Sequence, residues 1–311
     1  MQVIEQASLL QPGQRPVCVA IGMFDGVHLG HQQVLRKTAQ DAHEHRGTSV
    51  AITFDEHPNT VVAPDRVPPS IYPLAQRLRF IGSVGIETVL LIHFDEAFSR
   101  QSGRAFIESL VRDFGRVHSL YVGSNFTFGH HRSGDVALLQ ALAPELGFAV
   151  HPVTPTLFQG KPISSTRIRA AIQGGNLALA REMMGRPYAI AAPVIQGQRL
   201  GQKLGFPTAN LNVKGLALPP NGVYAGRART RQGAFAAAAN VGYRPTVNTA
   251  GRALSLEVHL IEFSGDLYGQ EIEFEFRDKL RDEQKFASLE ALQEQIARDV
   301  AAIQARTGER D

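Results

Sequence analysis

A single cysteine, Cys18, stands among the 311 residues, so no internal disulfide can form and a reducing, cytoplasmic setting is expected. No apolar run approaches the ~20 residues that a membrane span requires. The amino-terminal Met-Gln-Val-Ile-Glu-Gln lacks the basic start and apolar core of a secretion signal. A formal charge of +3, evenly spread, is too weak to point to nucleic acid, although local basic groups can still serve anionic small molecules. Internal repeats and low-complexity tracts are missing as well. What is present, 43% hydrophobic and 20% charged residues, is the composition of a soluble globular chain long enough for about two domains. Small molecules, phosphate esters included, are the expected partners, with neither nucleic acid nor a membrane.

Two hydrophobic periods divide the chain. In the first part, short apolar runs at 17–21, 49–54, 88–94, 120–123 and 148–153 alternate with helix-like spacing at Val34, Leu35, Thr38, Ala39 and Ala42, at Phe106, Leu110 and Phe114, and over 136–142. This alternation predicts an α/β, Rossmann-like, doubly wound parallel sheet, in which ligands bind beyond the carboxyl ends of the strands. After about residue 187 the period becomes two: Leu254, Leu256, Val258 and Leu260 share one face, with Glu257 and His259 on the other. Strands at 222–230, 235–241, 254–263 and 271–276 predict a small antiparallel barrel or sandwich. A final helix carries the stripe Leu289, Leu292, Ile296, Val300 and Ile303. Gly185-Arg-Pro-Tyr188 closes a helix begun at Asn176, which puts the expected boundary between domains 1–184 and 185–311.

"GMFDGVHLGH", residues 22 to 31, leaves the first buried strand on a glycine. Gly22 and Gly26 permit a tight turn and close approach of backbone to ligand, and the helix starting near Leu29 presents unpaired N–H groups that suit an anion. His28 and His31, three residues apart across that helix start, can donate to the same phosphoryl oxygens. Surface histidines or half of a zinc site are the plainer readings, but the one cysteine lies inside the strand and cannot complete such a site. "ISSTRIRAAI" at 163–172 offers a second grip: Ser164, Ser165 and Thr166 as cap and hydroxyl donors, with Arg167 and Arg169 as charge near the first turn.

The second half lacks every standard ATP-binding signature: GxxxxGK[ST], GxGxxG, HRD and DFG are all absent. Yet "GQRLGQKLGFPTAN" at 197–210 places Gly197, Gly201 and Gly205 in a flexible flap, with Lys203 adding charge. Pro207 fixes its own φ and extends Phe206, so Thr208 and Asn210 should face one way, as two oxygens able to hold Mg²⁺.

With these motifs in view, GxFDGxHxGH, "FDEHP" at 54–58, "VGSNFTFGHHRSGD" at 122–135 and "ISSTRIR" resemble the adenylyltransferase module of the bacterial bifunctional riboflavin kinase/FMN adenylyltransferase family, members of the HxGH nucleotidyltransferases. "LGFPTAN", "GVYAG", "ANVGYRPT", "LEVHL", "DLYG" and "LRDEQKF", in that order, resemble its riboflavin kinase barrel along essentially the whole module. The resemblance implies that riboflavin is phosphorylated by ATP to FMN, and that FMN then attacks the α-phosphorus of a second ATP to give FAD and pyrophosphate.

By position, the resemblance makes His28 and His31 stabilisers of the transferred phosphoryl. Gly22, Phe24, Asp25 and Gly26 join them around ATP, and Ser164 to Arg169 hold the β- and γ-phosphates. It places His57, Asn125 and Phe128 in the nucleotide and flavin pocket. It makes Gly197, Gly201, Lys203, Gly205 and Pro207 an ATP flap, Thr208 and Asn210 magnesium ligands, and Glu257 the base at the riboflavin 5′-hydroxyl. Asn125, Thr127 and Gln196 depart from residues frequent in the family and affect local contacts only. Two other classes compete: a single-activity nucleotidyltransferase with a non-catalytic flavin-binding barrel, and a non-enzymatic flavin or RNA binder. Retained Thr208, Asn210 and Glu257 speak against both.

Overall fold

The computed structural model describes residues 1–197, 200–245 and 252–307. Gln198 and Arg199 of the glycine-rich segment, and Thr246 at the end of "ANVGYRPT", lie outside the described residues. Backbone contacts divide the chain into two units, one of Met1–Pro69 with Leu74–Ser165, the other of Ser70–Pro73 with Thr166–Asp311.

In the first unit, Val17–Ile21 is buried at every position, as a central parallel strand covered on both faces must be. The sheet contains β1 (Gln2–Ile4), β2 (Val17–Ile21), β3 (Thr48–Phe54), β4 (Thr88–Ile92), β5 (Val117–Gly123) and β6 (Ala149–Val153), in the order β1-β4-β3-β2-β5-β6. Every pairing is parallel. α1 (Leu29–Glu44) and α2 (Leu74–Ser83) cover the face carrying Ala20, Ala51 and Val89; α3 (Gly103–Phe114) and α4 (Val136–Leu146) cover the face carrying Val19, Ile21 and Ile52. Alternate strand residues thus feed two cores, each fully buried Val, Leu or Ile contributing roughly 1.5–3 kcal/mol. The chain steps from β2 through β3 to β4, then returns to place β5 on the other side of β2. The order therefore reverses between β2 and β5, and a crevice opens there at the carboxyl ends. The edge strand β1, with only three residues, is too short to leave a periodic signal.

From Thr166 on, the second unit contains the rest of α5 (Ser165–Gln173) and α6 (Leu177–Met184), the latter capped by Asn176 and ended by Gly185 in the left-handed region. A closed barrel follows from β7 (Ala189–Ile195), β8 (Ala209–Leu211), β9 (Gly222–Thr230), β10 (Gly233–Pro245), β11 (Arg252–Leu260) and β12 (Glu271–Arg281), in the order β7-β8-β11-β10-β9-β12. Its pairings are all antiparallel. Leu256, Val258, Val241, Phe274 and Tyr224 fill the inside. α7 (Leu289–Thr307) packs Ile303 and Val300 against Ala225, Ala236, Ala238 and Ile261 on the outside. The stripe expected along α7 holds for Ile303, Val300, Ile296 and Leu292, the last two half-buried, whereas its first member, Leu289, is exposed.

Candidate active sites

The histidine motif is a strained loop between β2 and α1. Phe24 (φ 49°), Gly26 (φ 82°) and Val27 (φ 37°) all lie in the left-handed region, a conformation that costs a β-branched residue such as Val27 of order 1–3 kcal/mol. Neighbouring groups hold the loop from below. Thr53 Oγ1 donates to the Met23 carbonyl at 2.9 Å, Gln32 Nε2 donates to the Val27 carbonyl at 2.9 Å, and Ser165 Oγ donates to the Asp25 carbonyl at 2.8 Å. The buried Arg77 guanidinium reaches the Met23 carbonyl at 3.4 Å and also the Phe54 and Asp55 carbonyls, tying the histidine loop to "FDEHP". Burial pushes the Arg77 pKa down, opposed by the Asp25 and Asp55 carboxylates. Its helix pattern reads as a surface arginine, so no sequence signal marked it.

Phe24 and Asp25 are almost fully buried, at 1% and 3% exposure; they shape the loop from inside. His28 is the N-cap of α1, where Ser, Thr, Asp or Asn is usual: its Nδ1 accepts from the His31 N–H at 3.3 Å. That bond places the proton of the neutral His28 ring on Nε2, the tautomer that can donate outward. The two imidazoles stack at 3.6 Å, and Phe24 meets His31 edge-on at 5.4 Å.

His28 and His31 border a cavity of about 250 Å³ between the ends of β2 and β5, completed by Gly22, Asn125, Phe126 and Thr156. Ile21 and Phe126 also line a second cavity of about 480 Å³, walled by Phe54, Phe94, Phe98 and Phe106 with Phe128. A ring-sized apolar chamber therefore adjoins a smaller crevice carrying two imidazoles. Phe128 lines the chamber, and Asn125 lines the crevice. Pro58 and Asn59 form the chamber wall beside "FDEHP", while His57 Nδ1 accepts from the Asn59 N–H at 3.1 Å, one residue back from that wall. Phe54, Phe94, Phe98 and Phe106 come from separate elements and read in sequence as ordinary core. The glycines of "FGHHRSGD" have a packing reason too: a Cβ on Gly134 would stand 2.6 Å from the Phe128 ring.

The second grip, "ISSTRIR", divides at the start of α5. Ser165 opens the helix and joins the histidine loop through Asp25, whereas Thr166, Arg167 and Arg169 group with the second unit.

In the barrel, Asn210 of β8 stands directly opposite Glu257 of β11, and Glu257 stands opposite Asn240 of β10. Leu256 and Val258 are fully buried inside the barrel, so Glu257 faces outward, as its period-two position requires. Thr208 Oγ1 lies 3.5 Å from a Glu257 carboxylate oxygen. Asn210 is buried, and Gly197 sits so close above it that any Cβ there would collide with its amide. The expected flap is a single helical turn, Leu200–Lys203, ended by Gly205 (φ 82°), with the Phe206 N–H donating to the Gly201 carbonyl at 2.8 Å. His259 Nδ1 donates to the Pro207 carbonyl at 2.8 Å and fixes the next stretch.

A cavity of about 330 Å³ outside the barrel is lined by Gly201, Thr208, Asn240, Glu257 and, from the last strand and α7, Arg281 and Asp299. Asn240 and His259 stand inside "ANVGYRPT" and "LEVHL" without a role assigned to either; their place on the Glu257 face, at paired or alternate positions, is the signal that gives them one. The oxygen donors of Thr208, Asn210 and Glu257 are the set that a hard divalent cation prefers.

Comparison with known proteins agrees with both halves. A family model described as FAD synthetase matches residues 10–167, and one described as riboflavin kinase matches 184–307. The chain is 38% identical over 293 residues to a bifunctional riboflavin kinase/FMN adenylyltransferase of Escherichia coli K12, covering 94% of this chain and 93% of that one. It is 37% identical over 305 residues to the protein of that name from Pseudomonas fluorescens, covering 98% and 97%. A crystal structure described as a macrolide-efflux protein from Streptococcus pneumoniae superposes with a TM-score of 0.82 at 28% identity, covering 97% of this chain and 98% of that one. Among the described residues here, no helix is long and apolar enough to cross a membrane.

Proposed function

This chain belongs to the bifunctional riboflavin kinase/FMN adenylyltransferase family, and we propose from that premise how its residues divide two phosphate-transfer reactions. The enzyme phosphorylates riboflavin to FMN and adenylylates FMN to FAD. The presence of both modules sets aside the single-activity alternative. Residues 1–184 carry adenylyl transfer and 185–311 carry phosphorylation, in a cytoplasmic setting.

For adenylyl transfer, the isoalloxazine ring occupies the phenylalanine chamber and the FMN phosphate points into the adjoining crevice. His28 Nε2–H and the His31 ring donate to oxygens of the α-phosphorus as negative charge builds there, while Gly22 and Gly26 let the triphosphate approach the amino end of α1. Ser164, Ser165 and Thr166, with Arg167 and Arg169, hold the departing pyrophosphate. No covalent intermediate is needed; position and charge stabilisation carry the step. The observation that supports this most directly is the contiguity of the two cavities through Ile21 and Phe126.

For phosphorylation, Glu257 accepts the proton of the riboflavin 5′-hydroxyl as that oxygen attacks the γ-phosphorus. The helical turn at Leu200–Lys203 covers the nucleotide, Lys203 adds charge, and Pro207 with His259 sets the direction of Thr208. Thr208 and Asn210 are the residues that would hold Mg²⁺, which when bound offsets phosphate charge.

Isotope position tests the scheme. With riboflavin and magnesium, label from γ-labelled ATP should appear in FMN and be retained in FAD, while label from α-labelled ATP should appear in FAD alone. Label from α-labelled ATP in FMN would overturn the order of steps.

A further inference from the structure

We propose that Asp41, His45 and His118 form a binding site for a late first-row divalent cation of the zinc class, separate from both reaction sites. α1 has His28 as its N-cap and His45 as its C-cap; its 16 residues span roughly 24 Å, so this cluster lies at the amino ends of the strands, opposite to the phosphate crevice at their carboxyl ends. His118 is the second residue of β5, beside the beginning of β2.

One carboxylate and two imidazoles are the donor types that zinc, cobalt and nickel take. In the structure the three residues each offer a ligand atom within 4.8 Å of the others. Asp41 Oδ1 stands 2.9 Å from His45 Nδ1 and 3.9 Å from His118 Nε2. Donors bound tetrahedrally at about 2.0–2.1 Å are about 3.3 Å apart, so the two observed separations bracket the required one. His45 Nδ1 also lies 3.0 Å from the Asp41 carbonyl, a contact that binding a cation would exchange for the metal. The rings are already side by side, with centroids 4.1 Å apart.

Three features favour a cation over a simple ion-pair network. The Asp41 side chain is only 11% exposed, and its other oxygen accepts from the Ser119 hydroxyl, the outer-shell support that fixes a ligand's direction. Both histidines keep a solvent-facing side, with 46% and 38% exposure, which provides an entry path and room for a water ligand. Asp41, in the last turn of α1, and His45, its C-cap, are one helical turn apart and project to one side.

The test uses the full-length protein, titrated with zinc against a chromophoric chelator, and Co²⁺ absorption in the visible as a geometric readout. One equivalent should bind and give the intense bands of a tetrahedral Co²⁺ site. His45→Ala and His118→Ala should each weaken binding tenfold or more and abolish those bands, and Ser119→Ala should weaken it about tenfold. His28→Ala, at the other end of α1, should bind zinc at this cluster with unchanged affinity. Since both histidines are partly exposed, their variants keep the fold, to be checked by circular dichroism. Unchanged affinity and stoichiometry in the His45→Ala/His118→Ala double variant would overturn the proposal, as would failure of the unmodified protein to take up one equivalent.

Discussion

Asn210 and Glu257 face each other across neighbouring antiparallel strands of the barrel, with Thr208 Oγ1 3.5 Å from the Glu257 carboxylate. This outward carboxylate, beside one hydroxyl and one amide, is the group proposed to take the proton of the riboflavin alcohol. Replacing Glu257 by Gln keeps the shape and removes that proposed base. Riboflavin phosphorylation should fall by about 10²–10⁴-fold. Conversion of supplied FMN to FAD should continue at the unmodified rate, as read by chromatography of flavin products.

The reciprocal loss is expected in the other half. His28→Ala removes the donor proposed for the α-phosphorus and also the N-cap of α1, so FAD formation should fall by about 10²–10³-fold. Riboflavin should still become FMN. His28→Asn restores an N-cap without an imidazole and separates the two roles: stability should recover by about 1 kcal/mol in thermal unfolding, while FAD formation stays low.

The parts that sequence made legible are those in which one short stretch carries the whole signal. The histidine loop follows a buried strand within ten residues, and the outward direction of Glu257 follows from a strict alternation. The phenylalanine chamber is different in kind. Phe54, Phe94, Phe98 and Phe106 lie in different stretches, and only the winding of the sheet packs their rings edge-to-face around the one cavity that Phe128 also lines. Arg77 was hidden for a related reason, because an arginine on an amphipathic helix ordinarily points to solvent. Here three backbone carbonyls turned toward it make burial tolerable.

Asp55 and His93, on the loops beside that chamber, give a pH dependence. His93 Nδ1 donates to Asp55 Oδ2 at 2.5 Å. The hydrogen bond and charge of Asp55 raise the His93 pKa above its usual 6.5. For Asp55, burial works upward but is outweighed by His93 and the N–H groups of Glu56 and Phe94, so its pKa lies below the usual 3.8. A raised imidazole value stabilises below 6.5 and loses that contribution as pH rises through the folded value. A lowered carboxylate value stabilises above 3.8 and loses it as pH falls through the folded value. The contact is therefore fullest between these two ordinary values and weakens in alkali. Histidine NMR titration should place the His93 midpoint above 6.5, and Asp55→Asn should return it toward that value.

Arg281 and Asp299 pin α7 to the barrel beside the kinase cavity. Nε and Nη2 of the guanidinium donate to the carboxylate at 2.8–3.1 Å, and Gln295 Nε2 adds a bond at 2.9 Å. With side-chain exposures of 16% and 9%, removal of either partner strands a poorly solvated charge, so Asp299→Ala should cost about 3–5 kcal/mol in denaturant unfolding. The pair itself is worth far less than that penalty, because both ions have already lost most of their hydration. Joint replacement, Arg281→Met with Asp299→Leu, should therefore recover most of the stability. It should not recover riboflavin phosphorylation if Arg281 also meets nucleotide phosphate, since methionine offers no donor. A double variant as active as the unmodified enzyme would confine Arg281 to anchoring the helix.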